Sequence, residues 1–168
     1  DFKKINPLGE VPLLVLDDGN SISQVTAICR YLEEIYPETP LHGRTPLERA
    51  QVEASNGQLQ ANGMFAAAEA FRNATPGFKN RAAPGPHDYA QIPELAQRGL
   101  LRLDNLFSDL DAHLAESQYI VGDYFSVADI SALTIIDFAR WVKKSIPKNC
   151  TNLKRWYDLV NARPSAKA

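Results

Sequence analysis

A proline two residues into an apolar run constrains this chain more than any other feature. The run is Val11-Pro12-Leu13-Leu14-Val15-Leu16, and an apolar stretch of that length bounded by turn residues reads as a strand. Pro12 has no N–H to give to a ladder, so the run belongs at a sheet edge or a turn. Main-chain groups left free there suit a peptide-like ligand.

Asp17-Asp18-Gly19-Asn20 is a turn signal, and the stretch after it carries apolar residues at 25, 28, 32 and 35. That spacing predicts one face of a helix, with Ser23 as its N-cap. Cys29, inside this pattern, is expected to be a small core residue. Pro37-Glu38-Thr39-Pro40-Leu41-His42-Gly43 then breaks the pattern and marks a domain boundary between residues 1–38 and 45–168.

Everything beyond the break reads as helical. Thr45-Pro46-Leu47-Glu48 is a capping box with proline at the first helical position. The helix it opens is expected to reach about Asn73, with Gly57 and Gly63 as weak points or places of close packing. Residues 74–86 are rich in Gly and Pro and predict a loop. From Pro93 the residues Leu103, Leu106, Phe107, Leu110 and Leu114 predict a long helix ending near Ala115. Ser126 and Asp129 occupy the N-cap and N3 positions of a second capping box, a structural role rather than a catalytic one. A last helix, Asn152 to about Ala162, presents Leu153, Trp156, Tyr157 and Val160 on one face.

With 168 residues, 45% of them apolar and 23% charged, the chain can bury a real core in one or two domains. A formal charge of −2 provides no global field for nucleic acid or an acidic membrane. No stretch is long and apolar enough to predict a membrane span, no signal peptide is visible, and a cytoplasmic protein is the expectation. Cys29 and Cys150 form no C-x-x-C pair, and His42, His87 and His113 share no metal-ligand spacing, so no metal is expected. The basic cluster of Arg140, Lys143, Lys144, Lys148, Lys154 and Arg155 reads as a solvated face rather than a nucleic-acid surface.

Three motifs carry a resemblance to a known family. Asn6-Pro7-Leu8-Gly9-Glu10-Val11-Pro12-Leu13-Leu14 resembles the Asn-Pro-x-Gly-x-Val-Pro-x-Leu signature of the glutathione transferase superfamily. Gln24-Val25 stands where that family has an acidic or amide residue followed by serine. Gly122, Ser126, Ala128 and Asp129 match the Gly-x-x-x-Ser/Thr-x-Ala-Asp folding motif of its helical domain. The resemblance implies a partial thioredoxin-like α+β piece followed by an all-α helical bundle. It implies a cis Val11-Pro12 bond, with Val11 and Pro12 on the cysteinyl backbone of glutathione. Gln24 and Val25 would hold the γ-glutamyl end, and Lys4 or Lys3 the glycyl carboxylate. Val25 replaces a hydroxyl donor and is expected to weaken that contact.

The implied chemistry is attack of the glutathione thiolate on a small electrophile, a detoxification reaction in a homodimer, with glutathione as co-substrate and no metal. Asn62, Met64 and Phe65 are the candidates for lining the electrophile pocket. The family's first β-α-β unit, roughly 30 or more residues, holds the Tyr, Ser or Cys that acts on the sulfur. It is not matched in this sequence, so a fragment is expected and the catalytic residue stays unassigned. A glutathione-dependent disulfide reductase or peroxidase, and a non-catalytic assembly protein on the same scaffold, are the alternatives.

Overall fold

The computed structural model describes residues 1–167. A short helix α1 (Phe2–Ile5) leads into strand β1 (Leu13–Val15), which pairs antiparallel with β2 (Ser21–Ser23) in the register Leu14↔Ile22. Pro12 sits just before β1, where its missing N–H costs no ladder bond. The turn between the strands is closed by Leu16 N–H to the Asn20 carbonyl at 2.8 Å and by Asn20 N–H to Asp18 Oδ1 at 2.9 Å.

Helix α2 (Val25–Ile35) begins one residue later than its sequence suggests. Ser23 ends β2 and does not cap it; Gln24 holds the N-cap position without a side-chain bond. Pairing Ser23 with Leu13 in the sheet outweighs its capping tendency. The apolar face of α2 forms at the expected spacing, yet no residue of the helix is fully buried. Cys29 is half-buried and lines a groove instead of entering a core.

The connection to the helical body is tied down by one carboxylate. Glu33 accepts the N–H of Leu41 at 2.7 Å, the N–H of His42 at 3.0 Å and His42 Nδ1 at 2.9 Å. The Leu41 carbonyl in turn accepts the N–H of Val127 in the helical body.

Helix α3 (Pro46–Leu59) carries the full Thr45/Glu48 capping box. It continues through a π turn (Gln60–Met64) into α4 (Phe65–Ala74), so the single expected helix is continuous but contains one wider turn. Gly63 lies in that turn, where a Cβ would meet Ile135 at 2.8 Å and Leu106 at 2.9 Å. Gly57 faces open space and marks no close packing. Helix α5 (Pro93–His113) crosses α4 at Gly99, where a Cβ would lie 2.5 Å from the Ala66 carbonyl oxygen.

Helices α6 (Val127–Ala139) and α7 (Thr151–Asn161) complete the body. Phe107, Leu103, Leu114, Ile135, Ile136, Leu153 and Trp156 form its sealed centre. Asp129 is 0% exposed at the start of α6 and takes four donors: Ser126 N–H, Ser126 Oγ, Ile120 N–H and Trp156 Nε1, all within 3.1 Å. A helix start, a loop and a distant helix are therefore fastened by one side chain.

The basic cluster is largely paired. Lys144 meets Asp104, Lys154 meets Asp158, Arg140 meets Asp137 and the Tyr157 hydroxyl, and Arg155 donates to the carbonyls of Leu114 and Ser117.

Candidate functional site

The turn before β1 is built to display Val11. Asn6, itself buried, donates from Nδ2 to the Glu10 carbonyl, and Gly9 N–H donates to the Asn6 carbonyl at 2.9 Å. This closes the turn and leaves Val11 81% exposed beside a cis Val11-Pro12 bond. Among the described residues, neither the N–H nor the C=O of Val11 has a protein partner.

Gln24 faces it. With φ at 73° it occupies a left-handed conformation that non-glycine residues seldom adopt. Such strain is held only where the surroundings demand it, and functional sites are a common place. Its amide Nε2 donates to Glu10 Oε2 at 3.2 Å, which links the α2 start to the β1 turn. Beyond it the first N–H groups of α2 have no side-chain cap. That helix end favours a carboxylate by its dipole and its unused donors.

Val11, Pro12, Gln24 and Val25 thus converge on one small recess, as the family resemblance implies. Lys4 does not join them; it lies exposed on α1, and its neighbour Lys3 lines the wider cleft that contains Val11 and Gln24. Asn62 points elsewhere, into a groove of about 420 Å³ between α3 and α5 with Arg102 and Asp109. Met64 and Phe65 stay together under the 82–92 segment, with Phe65 largely exposed. Met64 also lines an apolar groove of about 670 Å³ between α2 and the helical body, shared with Cys29, Leu32 and Ile135.

Several contributors escape the sequence patterns. Glu33 is one, and its carboxyl is held below the ordinary range. Burial pushes it up, but hydrogen bonds from His42 and the Leu41 and His42 N–H groups outweigh that. Arg72 is another. From α4 it donates Nε to the Ala82 carbonyl at 3.2 Å and Nη2 to the carbonyls of Arg81 and Ala83, and it covers the Phe78 ring at 4.6 Å. The long α4–α5 connection is thereby braced against the helix, helped by Gln91 Nε2 to the carbonyls of Arg72 and Thr75.

What gathers at the recess is a set of binding groups: a free main-chain edge, an amide, apolar walls and a helix N-terminus. These can hold an extended peptide with a carboxylate at one end; none of Val11, Pro12, Gln24 or Val25 can serve as a nucleophile. Among the described residues, no group of three or more His, Cys, Asp or Glu side chains is placed to hold a metal.

The family models for the glutathione S-transferase N-terminal and C-terminal domains match residues 1–35 and 65–164. Glutathione S-transferase 2 of Saccharomyces cerevisiae is 33% identical over 170 residues, covering 99% of this chain and 70% of that protein. Elongation factor 1-gamma 2 of Oryza sativa subsp. japonica is 28% identical over 99% of this chain, which spans only 38% of that protein. The crystal structure of Gtt2 from Saccharomyces cerevisiae superposes with a TM-score of 0.88 at 32% identity, over 99% of this chain and 77% of that one. The strand–strand–helix piece accordingly corresponds to the thioredoxin-like part of that fold, and the rest to its helical domain.

Proposed function

The chain belongs to the glutathione S-transferase family, and from that premise we propose that it binds glutathione along the Val11–Gln24 wall for transfer to a small electrophile. The observation that carries this reading is the meeting of the unpartnered Val11 main chain with the uncapped start of α2. Val11 receives the cysteinyl backbone. The γ-glutamyl carboxylate takes the N–H groups at Gln24 and Val25, and its ammonium lies toward the Gln24 amide and Glu10. Lys3, which lines the same cleft, takes the glycyl carboxylate on this reading.

A thiol with a pKa near 8.5 is mostly protonated at neutral pH, so transfer needs both a lowered thiol pKa and two substrates held together. The residues described here supply the holding. On this reading the second substrate lies toward Met64 and Phe65, the working unit is a cytoplasmic homodimer, and no metal takes part. A second reading, a non-catalytic assembly role, draws on the likeness to elongation factor 1-gamma and on valine in place of a hydroxyl donor at position 25.

Calorimetric titration with glutathione of the wild type and Val25→Ser separates them. A restored charge-assisted hydrogen bond should tighten binding about ten- to a hundredfold. Equal binding by both would mean that the helix N-terminus alone carries the carboxylate. No binding by either at millimolar glutathione would overturn the transferase reading in favour of assembly.

A further inference from the structure

Across from Val11 and Gln24, the same cleft is walled by α4 and the segment 81–88, enclosing about 750 Å³. That volume lies in the range of small-molecule sites. Two guanidinium groups stand on this wall, Arg72 and Arg81. Elsewhere Arg30, Arg98, Arg102, Arg140, Lys144 and Lys154 meet carboxylates, Arg49 and Arg155 meet carbonyls, and Arg163 covers the Phe125 ring. Among the described residues neither Arg72 nor Arg81 has an acid within ion-pair distance.

Arg72 is half-buried and already oriented by three carbonyls and the Phe78 ring, which leaves its Nη1 without an acceptor among the described residues. Arg81 is exposed, and its backbone is fixed by that same Arg72 contact and by its bridge to Tyr89. The two cations are close enough to repel: burial first, and then the charge of Arg81, lower the Arg72 pKa. A like-charge pair lining one cleft is relieved by an anion, and the planar guanidinium fork matches a carboxylate. The acids of the cleft are Glu10, whose carboxylate is engaged by Gln24, and Asp88.

We propose that Arg72 and Arg81 form a carboxylate-recognising wall facing the glutathione wall, so that the ligands joined in this cleft carry an anionic group on the α4–α5 side. The proposal rests on the glutathione reading above and narrows its substrate class. The carboxylate has two possible sources, an acidic electrophile or glutathione itself.

The test is calorimetric titration of the full chain and of Arg81→Gln with S-benzylglutathione, S-(4-carboxybenzyl)glutathione and free 4-methylbenzoate, with melting curves to verify folding. Arg81 is exposed, so the variant should keep its melting temperature. An acidic electrophile predicts that the wild type prefers the carboxybenzyl conjugate about tenfold and that Arg81→Gln loses that preference while binding the benzyl conjugate unchanged. Equal weakening of both conjugates in Arg81→Gln also supports the wall and assigns the recognised carboxylate to glutathione. Unchanged binding of all three probes overturns the wall and leaves the glutathione reading standing. Failure of S-benzylglutathione to bind the wild type, with Arg81-dependent binding of 4-methylbenzoate, overturns the glutathione reading and leaves the wall; binding of no probe overturns both.

Discussion

In α7, Leu153, Trp156 and Val160 recur at helical spacing and are almost completely shielded from solvent. In α2, Val25, Ile28, Leu32 and Ile35 recur at the same spacing, yet Val25 is 57% exposed and Leu32 and Ile35 are also open. The periodic pattern specifies a face, whereas burial depends on what lies against it. The two regions consequently hold their shape by different means. The helical body combines apolar burial with one saturated carboxylate at Asp129. The strand–helix piece relies on end contacts, the Glu33 bracket and the Gln24–Glu10 bond.

Substitutions graded by size can break or sharpen this contrast. The largest effect is expected from Asp129→Ala, which strands four buried donors at once and should cost at least about 3 kcal/mol in chemical denaturation. A loss below about 1 kcal/mol would show that the hub is not what fastens the body. Next comes Gly99→Ala, which forces a methyl onto the Ala66 carbonyl where no flexible side chain can give way. Overpacking of this kind costs about 1–3 kcal/mol, read from the same denaturation curves. An unchanged midpoint would mean that α4 and α5 slide apart freely.

Ser126→Ala removes the cap and one of the four donors to Asp129, and should cost about 0.5–2 kcal/mol without altering glutathione binding by the folded fraction. Intact stability with lost binding would give Ser126 a role in the site. The smallest effect belongs to the bracket. Glu33→Gln should destabilise the junction by about 1 kcal/mol at neutral pH, since it weakens charge-assisted bonds without emptying the space. Because the folded carboxyl lies below its ordinary range, the wild type keeps this contribution above that range. It loses it as acidification carries the pH down through the folded value. The difference between wild type and Glu33→Gln should therefore shrink toward zero in acid; a difference that grows on acidification would reverse the assigned direction.

The helical body was legible because its signals are local. Capping boxes at Thr45/Glu48 and Ser126/Asp129 act over three residues, and the periodic faces of α5 and α7 extend over several turns. The recess was legible only through the family resemblance, which implies that Val11, Pro12, Gln24 and Val25 face one ligand; they line one recess. What was not legible depends on long-range geometry. Ser23 looked like a cap because nothing in the sequence announces its pairing with Leu13. Asn62 and Phe65 would share a face of an α-helix, but the π turn between Gln60 and Met64 changes their phase and sends Asn62 to a separate groove. Arg72 gave no sign of its grip on carbonyls 81–83, which follows from how the connection folds back.

The π turn also limits how the gene can change length. Each residue of a helix adds about 100° of rotation. Deleting a single codon within 60–64 would restore a regular ladder and leave the flanking turns nearly in phase, because a π turn takes about one residue more than an α turn for the same rotation. A deletion at 57–58 would instead swing the residues ahead of it by about 100°, turning Val52 and Asn56 out of the interior together. Length changes should therefore be purged from the regular turns of this helix, while the π turn and the exposed stretch 84–88 have room for them.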